Sequence, residues 1–404
     1  MLSVSRAVLV LVLLVTATLS GAAPPGGRPL PRMYNGLAPT PPMGWNDYNA
    51  YGLDVTEALV RETADAMVAS GLRDAGYVYV NIDDAWMADT RDAAGNLRAD
   101  PTRFPHGIAA LADYVHARHL RLGIYEDAGV TTCGGKPGSL GHERQDAALF
   151  AAWGIDYLKY DNCYAGTGCA QHTCTRGIEL SATARYATMR DALVRTGRPI
   201  VFSICSWGTD GVWRWGAGYG NLWRTTDDIF PTYASMLANF HETVGLARYA
   251  GPGGWNDPDM LETGNGMTLA EDRTEFTLWA AMAAPLIVGT DLVHASAATR
   301  SVLTNAAVVA VDQDSLGHPA RQIASAGGLD VLARPLSNGD VAVVLFNETE
   351  AAATISTTAA AAGAPSASGY TLRDLWAGTT ATTTGAIAAT VPPHGAVIYR
   401  VGPS

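Results

Sequence analysis

Between about Asn35 and Thr290 one pattern recurs: a short β-rich run, a loop carrying Gly or carboxylates, then a stretch whose apolar positions follow the helical period. Eight runs fit the first part of that unit: PPMGWN, YVYVNID, LRLGIYE, IDYLKYD, PIVFSIC, NLWRTT, ARYAGPGG and PLIVGT. Between the first two, DVTEALVRETADAMVASG predicts a helix, with Asp54 and Glu57 spaced as a capping box and Gly71 as its stop. A helix between successive strands makes those strands parallel. Eight such units in roughly 250 residues suit a closed (β/α)8 barrel. An open doubly wound sheet is expected to carry a GxGxxG turn, and the chain has none.

After VVAVDQDSLG the pattern changes to short alternating runs, LDVLARPL, DVAVVLFN, YTLRDLWAG, AIAATVP and GAVIYRV, separated by Gly, Asn and Pro turns. These predict an antiparallel β-sandwich over residues 316–404, behind an α/β TIM-barrel domain over residues 35–315. The Ala/Thr/Ser-rich parts, Ala351 to Ser368 and around Thr379 to Ala389, are expected to be loops of the smaller domain. At the other end, Arg6, the apolar run Ala7 to Leu19 and the small residues that follow have the layout of a secretory signal peptide over residues 1–22. That run is short for a bilayer span of about 20 residues. A Pro/Gly-rich leader over residues 23–34 precedes the expected start of folded structure, and the chain is expected to be secreted.

Composition narrows the function classes. Of 404 residues 48% are hydrophobic and 16% charged, the balance of a well-packed globular enzyme. A formal charge of −11 without a long basic run argues against nucleic acid or an anionic membrane surface as partner. Export permits disulfides among the five cysteines, Cys133, Cys163, Cys169, Cys174 and Cys205, of which an odd one must stay unpaired. No CxxC or HExxH occurs, and His116 and His119 read as solvated surface, so no metal is expected.

The candidate chemistry is acidic. Functional groups of a parallel barrel gather at the C-terminal ends of its strands. Here those ends carry Asp83 and Asp84, Glu126 and Asp127, Asp161, and Asp227 and Asp228, with Asp257 and Asp259 in the loop expected after the seventh strand. Lys159 and Asp161 lie two apart, on one face of a strand, so the ammonium is expected beside the carboxylate and to keep it ionised. This suits a nucleophile, and equally an ordinary buried ion pair. A retaining glycosidase needs a second carboxyl about 5 to 5.5 Å away. If the strand WRTTDDI stays regular, Arg224, Thr226 and Asp228 share a face, which favours Asp228 over Asp227. Asp227 is then a helix N-cap or an acid behind the site. Asp83 and Asp84 suit two neighbouring sugar hydroxyls, and Trp45 or Trp86 could stack on a sugar face or serve as core aromatics.

The strings TPPMGWNDYNAYG, YVNIDDAW, FPHGIAALADYVHARHLRLGIYEDAG, WGIDYLKYDNC, WRTTDDI and GPGGWNDPDML, in this order, resemble glycoside hydrolase family 27, the melibiase or α-galactosidase family, from about Asn35 to Leu292. The resemblance implies a double displacement with retention and no cofactor, acting on terminal α-D-galactose of oligosaccharides or polysaccharides. It implies Asp161 as nucleophile and Asp228 as acid/base. Asp83 and Asp84 would take the 4- and 6-hydroxyls, with Trp45, Tyr125, Lys159 and Met260 lining the pocket and Arg224 near the 2-hydroxyl. It also implies a Cys133–Cys163 disulfide, with Cys169 and Cys174 as a possible second bridge and Cys205 as a buried thiol. One departure concerns Ser206 in ICSWG, where α-galactosidases commonly carry a longer polar residue. A Ser there, with Ala three residues later, marks the related α-N-acetylgalactosaminidases, but this chain has Thr209. β-L-Arabinopyranosidase is a further alternative within the fold, and a noncatalytic sugar-binding protein is disfavoured because both acids are present.

Overall fold

A computed structural model describes residues 35–165 and 180–404. The signal-peptide and leader segments and the Cys169/Cys174 pair lie outside the described residues. Eight short parallel strands, β1 (Met43–Asn46), β2 (Tyr79–Asn81), β3 (Arg121–Asp127), β4 (Tyr157–Asp161), β5 (Val201–Ile204), β6 (Leu222–Arg224), β7 (Trp255–Asp257) and β8 (Leu286–Val288), form one sheet. Its order is β7-β6-β5-β4-β3-β2-β1-β8. A parallel bridge between Leu261, just beyond β7, and Val288 of β8 links the two ends. The TIM-barrel expectation holds, and β1–β8 are buried nearly throughout, as strands covered by helices must be.

Two details differ from the sequence reading. The first long helix, Glu57–Ala69, is capped by Thr56, whose side chain accepts from the Leu59 N–H, so the Asp54/Glu57 capping box does not form. Glu57 instead takes Arg61 and the backbone N–H of His106. Gly71 does sit just past the helix, in the left-handed region at φ 81°. The seventh strand is not ARYAGPGG: Ala247–Tyr249 is a single 3-10 turn and the strand follows at Trp255–Asp257. Gly251 and Gly253 turn the chain into it, and Asp257 thereby becomes a strand-end residue.

The C-terminal part contains β9 (Arg321–Ala326), β10 (Leu329–Pro335), β11 (Val341–Asn347), β12 (Ala353–Thr358), β13 (Tyr370–Asp374), β14 (Thr380–Thr383), β15 (Ala386–Val391) and β16 (Ala396–Pro403). Six make a sheet in the order β14-β13-β16-β11-β10-β9, and β12 pairs with β15 in a second. This is the expected antiparallel sandwich. The Ala/Thr/Ser-rich parts are not only loops, however, since they contribute β12 and β14. Their Thr content favours strands, and Ile355 and Ile387 turn inward to fill the core between the sheets. The main hydrophobic core runs through the barrel and on into the sandwich by way of Leu332, Val344, Phe346 and Ile398. Among the described residues no helix is long and apolar enough to cross a membrane.

Candidate active site

Of the acids foreseen near strand ends, Asp83, Asp84, Asp161, Asp228 and Asp259 line one cavity of about 270 Å3 at the C-terminal end of the barrel, whereas Glu126, Asp127, Asp227 and Asp257 are not among its walls. Its walls include Asp83, Asp84, Tyr125, Lys159, Asp161, Arg224, Asp228 and Met260. Asp161 closes β4 and is buried. Its Oδ2 accepts from the Tyr125 hydroxyl at 3.0 Å and its Oδ1 from the Asn162 N–H at 2.9 Å. Burial pushes the Asp161 carboxyl up to about 6; the Lys159 ammonium opposes that push, and Asp228 and Asp83 add to it.

The Lys159 ammonium is bonded elsewhere. Its Nζ donates to Asp83 Oδ2 at 2.7 Å, so it acts on Asp161 through space and does not outweigh burial. The expected pairing of the ammonium with Asp161 is corrected accordingly, since its direct partner is Asp83. Asp83 is held on all sides: Oδ2 also accepts from Asn46 at 2.6 Å, Oδ1 from the Asp84 N–H at 2.9 Å, and its own N–H donates to Asp47 Oδ1 at 2.7 Å. Asp84 accepts from the Gly134 N–H at 2.7 Å, and burial raises its carboxyl. A disulfide joins Cys133 to Cys163 with Cα atoms 5.2 Å apart, holding the loop after β3 against the end of β4. Cys133 Sγ lies 3.4 Å from Asp161 Oδ2. The grouping Asp127, Cys133, Asp161 and Cys163 has the compactness of a cation site, but its two sulfurs are spent on that bond. Cys205 is a free, buried thiol.

Strand β6 ends at Arg224, so strand parity does not extend to Asp228. What holds Asp228 is charge: Arg224 Nη2 lies 2.9 Å from Asp228 Oδ1 and 2.9 Å from Asp259 Oδ2. Asp228 is 54% exposed, whereas Arg224 and Asp259 are buried. Asp227 is no helix N-cap, since Thr232 caps the following helix, Tyr233–Val244.

Three expected residues are placed differently. Trp45 is fully buried, donates its indole N–H to the Thr290 carbonyl at 2.9 Å and is not among the cavity walls. Trp86, the other candidate for stacking, is also fully buried, with its N–H on the Tyr125 carbonyl. Ser206 is buried with no hydrogen-bond partner for its hydroxyl and lies behind the surface; its neighbour Trp207 is the wall residue. Thr209 donates its hydroxyl to the Ser206 carbonyl at 2.6 Å.

Other wall residues escaped the sequence reading, namely Tyr48, Asn49, Ile229, Phe230, Pro231 and Glu262, whereas Asp259 was foreseen as an acid without a role. Asp259 had a signal, being a second acid in the NDPD turn. It takes φ 89°, rare outside glycine, and is locked there by Arg224, the Ile229 N–H at 2.8 Å and the indole of Trp279 on its carbonyl at 2.9 Å. Glu262 binds the amides of Asn49 and Asn265, and burial lifts its carboxyl to about 7.

Residues 40–314 match the family described as alpha galactosidase A, and residues 326–401 the alpha galactosidase C-terminal beta sandwich domain. An α-galactosidase of Cyamopsis tetragonoloba is 46% identical over 372 residues, 91% of this chain and 88% of that protein. Among solved structures, α-galactosidase I of Mortierella vinacea superposes with a TM-score of 0.86 at 38% identity, over 92% of this chain and 99% of that one. The Saccharomyces cerevisiae α-galactosidase in complex with raffinose superposes with a TM-score of 0.83 at 32% identity, over 93% and 100%.

Proposed function

The chain belongs to the α-galactosidase A, or melibiase, family, glycoside hydrolase family 27, and from that premise we propose that it hydrolyses terminal non-reducing α-D-galactosyl residues with retention of configuration. The observation that carries the mechanism is the joint lining of one cavity by Asp161, Asp228 and the Asp83–Asp84–Lys159 cluster. Asp161 attacks the anomeric carbon as the bond to the leaving oxygen breaks, and Asp228 gives that oxygen its proton. Asp228, now a carboxylate, takes a proton from water, whose oxygen displaces Asp161 from the galactosyl carbon. The half-exposed position of Asp228 suits a group that must meet both leaving group and water.

Asp83 and Asp84 accept from the 4- and 6-hydroxyls, Lys159 and Tyr125 hold the neighbouring wall, and Arg224, with Asp259, faces the 2-hydroxyl side with Met260. In this reading Trp45 and Ser206 act from behind the wall. The substrates are galactose-terminated oligosaccharides or polysaccharide side chains, as the raffinose complex of the yeast relative suggests. The division into a catalytic domain over residues 35–315 and a sandwich over 316–404, and export by the N-terminal segment, complete the reading.

The test is p-nitrophenol release from the α-galactoside, the α-N-acetylgalactosaminide and the β-L-arabinopyranoside by the purified protein. Preference for either of the latter two overturns the specificity. For the mechanism, Asp161→Ala should lose turnover and, with added azide, yield a β-galactosyl azide. Appreciable unaided activity in that variant would sink the nucleophile assignment.

A further inference from the structure

Directly after Asp228 the chain reads Ile229-Phe230-Pro231, and all three residues line the cavity mouth. Phe230 is 63% exposed, an unusual position for a phenyl ring, since apolar groups that large are normally withdrawn from water. It is not presented by a loose loop. Its own N–H donates to Ser235 Oγ at 2.9 Å and its carbonyl accepts from the Thr232 N–H at 2.6 Å. The preceding residue is tied down as well, through the Ile229 N–H on Asp259 Oδ2. The ring therefore stands on fixed backbone, beside the acid, with its face in water.

In the reading proposed above, Asp228 protonates the leaving oxygen, so whatever follows that oxygen must lie on the Asp228 side of the cavity. We infer that Phe230 is a specificity-determining residue for the leaving group, a platform on which a second sugar ring stacks through its C–H face. A pyranose suits this lip because one face of the ring is apolar and its edge is hydroxylated. The same cavity offers the edge hydroxyls Asn49 and Glu262, which are hydrogen-bonded to one another. A hydroxylated ring edge can add hydrogen bonds to those polar groups, which a wholly apolar leaving group cannot.

This inference rests on the α-galactosidase reading, and the two can fail separately. The experiment compares kcat/KM of wild type, Phe230→Ala and Phe230→Tyr for methyl α-D-galactoside, whose leaving group has no ring, and for a galactosyl-α-1,6-glucose disaccharide. The expected result is that Phe230→Ala loses about ten times more on the disaccharide than on the methyl glycoside, in the range of aromatic stacking. Phe230→Tyr should recover most of that difference, because it keeps the ring. Equal losses on both substrates, or no loss on either, overturn the platform. Wild-type inactivity on both would instead overturn the α-galactosidase reading itself.

Discussion

At the residue scale the site turns on which carboxylate each cation serves. Two-residue spacing placed Lys159 and Asp161 on one face of β4, but a spacing argument cannot rank Asp161 against a carboxylate arriving from another strand. Asp83 comes from just beyond β2, two strands away through β3, and takes the ammonium at 2.7 Å. Burial then dominates at Asp161 and lifts its carboxyl to about 6. In its proposed role as nucleophile Asp161 must be ionised, and a raised pKa means the ionised fraction is lost earlier on acidification. The acid limb of kcat/KM should therefore fall as pH drops through about 6, well above the range of an unperturbed Asp. Lys159 supplies the largest influence opposing that rise, so Lys159→Met should move the limb to higher pH and raise KM through the orphaned Asp83. A limb that stays put or moves down would show that Lys159 has no electrostatic hold on Asp161. Trp45 illustrates the same limit of legibility: a Trp ending a strand can point at the mouth or at the wall behind it. Here its indole N–H chose the Thr290 carbonyl.

At the scale of elements, seven of the eight barrel strands were legible because buried parallel strands are apolar on both faces. The seventh is displaced because reading ARYAGPGG as a strand overlooks its Gly, Ala and Pro, which disfavour strands, while the real β7 is only three residues long. Strand β6 is equally short, so the route to Asp228 depended on the Arg224 ion pairs, which strand parity cannot reveal. The disulfide is the element that ties loop to strand, and its position next to Asp161 gives it two consequences. The cysteines are separated by 30 residues, and closing a loop of that length is worth roughly 3–4 kcal/mol in chain entropy. The Cys133→Ala/Cys163→Ala double variant should therefore melt several degrees lower. It should also show weaker substrate binding, because Gly134, which anchors Asp84, loses its fixed neighbour. The loop has hydrogen bonds of its own, from Thr132 N–H to the Lys136 carbonyl and from Ser139 N–H to the Asp127 carbonyl. An unchanged melting point with an unchanged KM would mean that those bonds alone hold it.

At the scale of the whole molecule, the change of sequence pattern near residue 315 marks two kinds of layer but hides how they are joined. Helix Leu269–Met282 is buried on nearly every side between barrel and sandwich, so it lacks the one-sided apolar stripe that pattern reading relies on. Trp376 donates to Thr277 Oγ1 at 2.9 Å, Thr274 to the His394 carbonyl at 2.8 Å, and buried Arg334 to the Ala280 carbonyl. Barrel, cavity wall and shared interior together hold carboxyls whose protons the fold retains. Burial raises Glu275 to about 8 and Asp312 to about 8, Glu262 to about 7, and Asp257 and Asp272 to about 6. In the unfolded chain the same groups ionise near pH 4. Between about pH 4 and 8 the native state thus holds more protons than the unfolded state, and stability is lost as pH rises through that window. Carboxyls held low, such as Glu57 and Glu271, act only on the acid side of it, where their contribution disappears as pH falls. The thermal midpoint should therefore be higher at pH 5 than at pH 8. Glu275→Gln, which removes the titrating proton, keeps one acceptor oxygen for the Glu262 N–H and turns the other position into a donor toward the Thr263 hydroxyl oxygen, should flatten that slope. A midpoint that is level or rises from pH 5 to 8 in the wild-type protein would mean that these buried acids are ionised in the native state, with cationic partners or water compensating them.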